Sequence, residues 1–455
     1  MCGIVAYVGR QPCAPILLDG LRRLEYRGYD SSGIAVLDGE IRIVKSAGKI
    51  AALEAKLGGD SLPGRTGIGH TRWATHGKPT DANAHPHADC KGDVAVIHNG
   101  IVENYAELRE ELRAAGHVFA SETDTEVLAH LVEGLYEGDL LAAVKAALAR
   151  VRGTFGLAVI HRAHPDLVVA ARRGSPLVVG VGQGETFVAS DVSALVRHTK
   201  LVVYLEENEV VTCTPDEFRI AKLSGEDVTR AAYTVDWNVA EAERGGYAHF
   251  MLKEICEQPE VIRNAQRGRT IPAEGISRLG GLQSVLGELR EKRHLVIVSC
   301  GTSYYAGLTG RYMFEELTDL HVEVELASEL RYRKLNMGPD TSVLAISQSG
   351  ETADTLASLR EAKRKGALCL GLVNVVGSTI ARETAAGVYN HAGPEVGVAS
   401  TKAFTSQLTI LVLMAALVGR HQHLSPREGR RILNALELCP AQVARMIERR
   451  GEVEA

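Results

Sequence analysis

The chain has 455 residues, a formal net charge of -5 and eight cysteines. Its length exceeds what one hydrophobic core supports and implies two or three domains, while the mild, mixed charge offers no basic face for nucleic acid. The cysteines show no CxxC and no paired spacing, which speaks against a disulfide framework or a zinc site and suits a reducing cytosol.

The first residues, Met1-Cys2-Gly3-Ile4-Val5-Ala6-Tyr7-Val8-Gly9, carry the first candidate chemistry. Removal of Met1 leaves Cys2 with a thiol as nucleophile and its own α-amino group as general base. The bland alternative is a small cysteine in a core strand, since Ile4 to Val8 reads as buried. No signal peptide is expected, because the opening lacks a basic region followed by a long apolar one. Ala14 to Tyr26 has helical spacing and stops at Arg27-Gly28, and short strands are predicted at Ile34–Leu37 and Ile41–Val44.

A strand end then runs into the Gly-bounded loop Gly67 to Gly77, where Arg72 offers a planar fork for a carboxylate or simply sits in solvent. Val94 to His98 reads as a buried strand stopping at Asn99-Gly100, ahead of a polar helix from Glu103 to Ala115. An Asn amide beside a Gly N–H suits an oxyanion hole; a plain Asn-Gly turn is the alternative. Ser121 to Glu126 precedes an amphipathic helix, Val127 to Tyr136, so its acids either favour the helix N-terminus or leave Asp124 for an ammonium group. Strands are predicted at Phe155–Ile160, Leu167–Ala171, Leu177–Val181, Phe187–Ser190 and Val202–Leu205.

Cys2-Gly3-Ile4, LEYRGYDS at Leu24–Ser31, HTRWATHG at His70–Gly77, His98-Asn99-Gly100 and SETDT at Ser121–Thr125 occur in this order. Together they resemble the glutamine amidotransferase domain with an N-terminal cysteine nucleophile, over roughly residues 2–235. The resemblance implies an αββα sandwich of the N-terminal nucleophile hydrolase type. It also implies that Cys2 attacks the glutamine side-chain amide and releases ammonia through a glutamyl thioester. Asn99 and Gly100 would form the oxyanion hole, Arg72 would hold the glutamine α-carboxylate, Asp124 its α-amino group, and Arg27 would support the nucleophile. Trp73, Thr75 and His76 would line a mobile loop over the site.

The second half changes pattern. Asn238 to Tyr247 reads as a linker, and a helix from His249 is expected to break at Pro259. Strands at Leu295–Val298, Val322–Leu326, Val343–Ile346, Leu368–Val373 and Val388–His391 alternate with helices, which predicts a doubly wound parallel sheet. Two strands run into hydroxyl-rich loops, Ser299–Ser303 and Ser347–Thr352, that open helices and suit a phosphate or ordinary N-capping. Neither loop has a Lys, so a nucleotide P-loop is not expected. The apolar run Leu408 to Val418 is too short to span a bilayer and reads as a buried helix.

This half is similar to the phosphosugar-binding sugar isomerase domain over residues 286–425. That likeness implies phosphate binding by Ser303, Ser347, Gln348, Ser349 and Thr352, and sugar contacts from Thr302, Val398, Ala399 and Ser400. The remaining spans are then linker and connecting helices at 236–285 and a helical tail at 426–455. The pairing of domains resembles the glutamine–fructose-6-phosphate aminotransferase (isomerising) family. It implies L-glutamine and fructose 6-phosphate as substrates, a cytoplasmic homodimer with no membrane or nucleic-acid partner, and no metal or organic cofactor. The family carries a second sugar isomerase domain that supplies acid–base groups for isomerisation, so the 455 residues are expected to retain glutaminase activity and phosphosugar binding rather than full synthesis. Two rival readings are an amidophosphoribosyltransferase-like enzyme and a non-catalytic phosphosugar sensor.

Overall fold

The computed structural model describes residues 2–25, 28–59, 62–73, 77–235, 245–334 and 337–454. The chain divides into two compact units, Met1–Val239 and Ala240–Ala455.

In the first unit, β1 (Gly3–Gly9), β2 (Ser31–Asp38), β3 (Glu40–Ala47) and β4 (Thr66–Arg72) are followed by β5 (His87–Ala88) and β6 (Val94–Val102). Next come β7 (Gly153–His161), β8 (Val168–Arg173), β9 (Val178–Val181), β10 (Glu185–Ala189), β11 (Leu201–Tyr204) and β12 (Glu209–Cys213). The unit closes with β13 (Phe218–Lys222), β14 (Asp227–Val228) and β15 (Tyr233–Thr234). They form two sheets, ordered β15-β11-β9-β10-β1-β4-β2-β3 and β14-β13-β12-β8-β7-β6-β5. Helices α1 (Cys13–Leu24), α2 (Ile50–Leu57), α3 (Tyr105–Ala114), α4 (Glu126–Leu135) and α5 (Leu140–Arg150) supply the outer layers.

Strand alternation explains the layering, because successive side chains leave opposite faces of a sheet. Ile4, Ala6 and Val8 of β1 meet Ala95 and Ile97 of β6 and Ala158 and Ile160 of β7 in the inter-sheet core. Val5 and Tyr7 point the other way, onto Leu17 and Leu21 of α1. Val94 and Val96 turn out to α3, α4 and α5 through Leu108, Leu131 and Val144. The result is the expected αββα sandwich. The sequence reading passes over α5, whose Asp139 caps it by accepting from the Ala142 N–H at 3.1 Å.

The second unit holds α6 (Phe250–Gln266), β16 (Thr270–Ile271), β17 (Ile276–Ser277), α7 (Leu286–Glu291), β18 (His294–Ser299), α8 (Gly301–Leu317), β19 (His321–Leu326) and α9 (Ala327–Leu330). It continues with β20 (Thr341–Ser347), α10 (Ala353–Arg364), β21 (Leu368–Val373), α11 (Thr379–Glu383), β22 (Ala386–Tyr389), α12 (Lys402–Arg420) and α13 (Pro426–Glu448). The sheet runs β19-β18-β20-β21-β22 with every pairing parallel. Leu295 and Ile297 of β18 face Phe314 of α8 and Ile410 and Met414 of α12, whereas Val296 and Val298 face Leu330 of α9 and Leu359 of α10. Both faces are therefore covered, as the runs of apolar strand residues predict.

Two local expectations need correction. Pro259 lies inside α6 rather than ending it. A proline removes the N–H that would bond the carbonyl of Ile255, and Gln258 Nε2 donates to that carbonyl instead at 3.2 Å. The apolar run near the end belongs to α12, 19 residues long, the one helix among those described that is long and apolar enough to cross a membrane. It is nevertheless the buried helix that the sequence predicts, since 78% of its apolar window is buried; only its length exceeds the expectation.

Candidate active site

The antiparallel register of β1 and β4 pairs Gly3 with Thr71. Cys2, one residue before β1, therefore lies beside Arg72 and Trp73, and the Trp73 N–H donates to its Sγ at 3.2 Å. A side chain on Gly3 would crowd Leu24 and Thr71, so glycine lets α1 and β4 close around the backbone next to Cys2.

The strand β6 does not stop before Asn99-Gly100. It runs to Val102, with Asn99 opposite Gly156 and Gly100 opposite Phe155 of β7. The dipeptide is thus part of a paired strand and not a turn. Gly100 has φ +144°, and a β-carbon there would overlap the Thr154 carbonyl oxygen. Asn99 Nδ2 donates to the Cys2 carbonyl at 2.9 Å. Its Oδ1 lies 2.8 Å from His70 Nε2. Since Asn99 Oδ1 only accepts, His70 carries its proton on Nε2. Burial pushes the His70 pKa down to about 3, so the ring is neutral and orients the amide. An amide nitrogen carries two hydrogens, so Asn99 can serve the Cys2 carbonyl and still donate to a developing oxyanion.

Arg72 ends β4 and is buried. Its guanidinium donates to the Lys78 and Gly77 carbonyls at 3.4 and 3.3 Å. Burial lowers its pKa, against the opposing pull of Cys2, Asp124 and Asp30. Asp124 is also buried and accepts from the Val102 N–H at 2.8 Å through Oδ2. Arg109 fixes the loop that carries it, donating to the Ser121 and Thr123 carbonyls at 2.8 and 3.0 Å. Trp73 is 40% exposed and meets Tyr29 edge-on, with ring centroids 5.4 Å apart. Arg27, Thr75 and His76 lie outside the described residues.

Sequence reasoning misses Arg109 and has His70 only as the first residue of a motif. His98 enters the sequence reading only as part of a motif. Its Nε2 donates to the Thr154 carbonyl at 3.1 Å and its Nδ1 accepts from Thr125 Oγ1 at 3.0 Å, tying β6 to the start of α4.

In the second unit the two hydroxyl-rich loops leave the carboxyl ends of the adjacent strands β18 and β20. That is where open parallel sheets bind ligands. Ser347 Oγ accepts from the Gly350 N–H at 2.9 Å and lies 3.1 Å from Thr352 Oγ1, while Ser349 Oγ accepts from the Glu351 N–H at 3.2 Å. Gly350 has φ +67°. These bonds curl Ser347–Thr352, including Gln348, into a compact loop at the N-terminus of α10. Ser303, in the first turn of α8, accepts from Gln407 Nε2 of α12 at 3.0 Å; Thr302 precedes it. Val398 is 66% exposed, Ala399 follows it, and Ser400 Oγ donates to Glu395 Oε2 at 2.7 Å. Lys402 is tied to Glu257 by a 2.7 Å ion pair.

Residues 57–224 match the glutamine amidotransferase domain family, and residues 288–417 match the SIS domain family. The glutamine–fructose-6-phosphate aminotransferase (isomerizing) of Chlorobaculum tepidum is 48% identical over 461 residues, covering 100% of this chain and 75% of the relative. The protein of the same name from Thermus thermophilus is 52% identical over 452 residues, covering 99% and 74%. That from Streptomyces coelicolor is 51% identical over 424 residues, covering 92% and 69%. With this identity running through both units, the chain belongs to the glutamine–fructose-6-phosphate aminotransferase (isomerizing) family.

Proposed function

We propose that these residues hydrolyse L-glutamine at Cys2 and bind fructose 6-phosphate, the glutaminase and phosphosugar-binding parts of the family reaction that yields L-glutamate and glucosamine 6-phosphate. The observation that carries this reading is the Asn99 amide, bonded to the Cys2 carbonyl on one side and to neutral His70 on the other. The Cys2 thiolate attacks the side-chain carbonyl carbon of glutamine. Asn99 Nδ2 and the Gly100 N–H receive the oxyanion. The Cys2 α-amino group, freed once Met1 is removed, takes the thiol proton and passes it to the leaving ammonia. Water then cleaves the glutamyl thioester to glutamate. Arg72 and Asp124 select the zwitterionic end of the substrate.

The first unit, over 2–235, acts as the amidotransferase domain, with Arg27, Trp73, Thr75 and His76 around the nucleophile. Residues 236–285 connect it to the phosphosugar-binding domain at 286–425, followed by the tail at 426–455. Ser303, Ser347, Gln348, Ser349 and Thr352 take the phosphate, and Thr302 and Val398–Ser400 take the sugar. All eight cysteines are free, which supports a cytoplasmic setting. A homodimer is the assembly this reading adopts. The test is to assay glutamate release from glutamine by the purified chain and by Cys2→Ala, and to titrate both with fructose 6-phosphate. Loss of glutaminase with retained phosphosugar binding is expected. Unchanged glutaminase in Cys2→Ala would refute the assignment.

A further inference from the structure

The linear spacing of the cysteines speaks against a zinc site, yet the fold assembles four donors from three separated segments. Cys90 follows β5, His117 lies in the loop after α3, and His130 and Glu133 are one turn apart on α4. One ligand atom from each lies within 4.8 Å of all the others. Cys90 Sγ is 3.8 Å from His117 Nδ1 and 3.6 Å from His130 Nδ1. Glu133 Oε2 is 2.9 Å from His117 Nδ1 and 3.4 Å from His130 Nδ1. We propose that Cys90, His117, His130 and Glu133 form a structural Zn²⁺ site, built from residues that the glutamine chemistry does not use.

The geometry suits that ion. Bonds of about 2.0–2.3 Å from zinc to N, O and S imply tetrahedral edges of about 3.3–3.8 Å. Three of the four distances fall at or near that range, and the shortest opens by about half an ångström once a cation replaces the proton between His117 and Glu133. One thiolate and one carboxylate with two neutral imidazoles balance the charge of Zn²⁺. A purely hydrogen-bonded reading is less satisfactory, because both Nδ1 atoms converge on the same sulfur and the same carboxylate oxygen. Four protein donors leave no open position, which marks a structural rather than a catalytic metal.

The surroundings also resemble a metal's outer shell. The Val118 N–H donates to Cys90 Sγ at 3.3 Å, and Lys91 reaches the other oxygen, Glu133 Oε1, at 3.6 Å. The far nitrogen of His130, Nε2, lies 3.7 Å from Glu126 Oε1, the kind of carboxylate that orients a ligating imidazole. Glu126 in turn accepts from the Ala120 and Ser121 N–H groups at 2.6 and 2.7 Å. The ion would therefore clamp the loop between α3 and α4 on which Asp124 sits. Cys90 is exposed, which gives the metal a way in.

The test uses the full chain, stripped of metal and titrated with Co²⁺, then with Zn²⁺ in competition. One equivalent of Co²⁺ is expected to give a near-ultraviolet thiolate charge-transfer band and tetrahedral visible absorption, both abolished by Zn²⁺. Cys90→Ser should lose the charge-transfer band, while Cys2→Ala should keep it. Glu126→Gln should bind Zn²⁺ about 10–100-fold more weakly. Should His117→Ala or Cys90→Ser fail to fold, the wild-type spectrum still decides. Absence of the band in the wild type, or its persistence in folded Cys90→Ser, would overturn the proposal.

Discussion

Asn99 Oδ1 and His70 Nε2 are 2.8 Å apart, although the two residues are 29 positions apart in the chain. This bond decides which face of the amide meets Cys2. Replacing His70 with Leu removes the donor and lets the amide rotate. Removing an oxyanion donor outright costs about 10²–10³ in kcat. His70→Leu is expected to lose glutaminase turnover up to that limit, and Asn99→Ala to reach it. The check is steady-state glutamate release, with KM for glutamine little changed. A His70→Leu enzyme with full kcat would show that the amide needs no support.

Arg72 and Asp124 are both buried, and on the proposed reading removing either leaves one charged end of glutamine unpaired. Arg72→Ala and Asp124→Asn are each expected to weaken glutamine binding by about 2–5 kcal/mol. The isosteric Asn keeps the bond from the Val102 N–H, which separates substrate recognition from loop packing. Equal KM values for wild type and both variants would remove these residues from the substrate site.

The first unit should lose stability on mild acidification. His70, His85, His87 and His98 are buried, and burial holds each below the ordinary 6.5, His70 at about 3. Between the folded and unfolded values the unfolded chain binds more protons. The stability these rings permit is therefore complete above about pH 6.5 and falls as pH drops toward the folded values. At pH 5.5 the His70 ring is expected to cost about 1.4 kcal/mol relative to pH 7.5, and His85, His87 and His98 act in the same direction. Urea melts at the two pH values measure this. A midpoint that stays constant would mean that these rings are not neutral and buried together.

Gly350 is held at φ +67°, and a β-carbon there would overlap Ser378 Oγ. Gly350→Ala is expected to cost at least the roughly 1–2 kcal/mol of a left-handed L-residue and to unravel the Ser347 loop. Weaker fructose 6-phosphate binding with unchanged glutaminase is the expected outcome of calorimetry and the glutamate assay. Wild-type affinity would detach this loop from the phosphate.

Local apolar runs alone locate the buried strands of both units, while the αββα order of the first comes from its resemblance to the amidotransferase domain. Continuous apolar runs in β1, β6, β18, β20 and β21 mark strands covered on both faces, because side-chain direction follows from positions i and i+2. Cys2, Arg72 and the Asn99-Gly100 pair are legible as candidates because their residue types restrict their chemistry. Other features depended on register between distant segments. Asn99-Gly100 reads as a turn until β7 supplies Gly156 and Phe155 as partners. Pro259 reads as a helix end until Gln258 takes over the freed carbonyl. His70 gains its role, and Cys90, His117, His130 and Glu133 their convergence, only when β4 meets β6 and α4 packs beside β5. Such contacts leave no periodicity in the chain, since they are set by which strands pair and how far each is shifted, and only the packed core selects that shift.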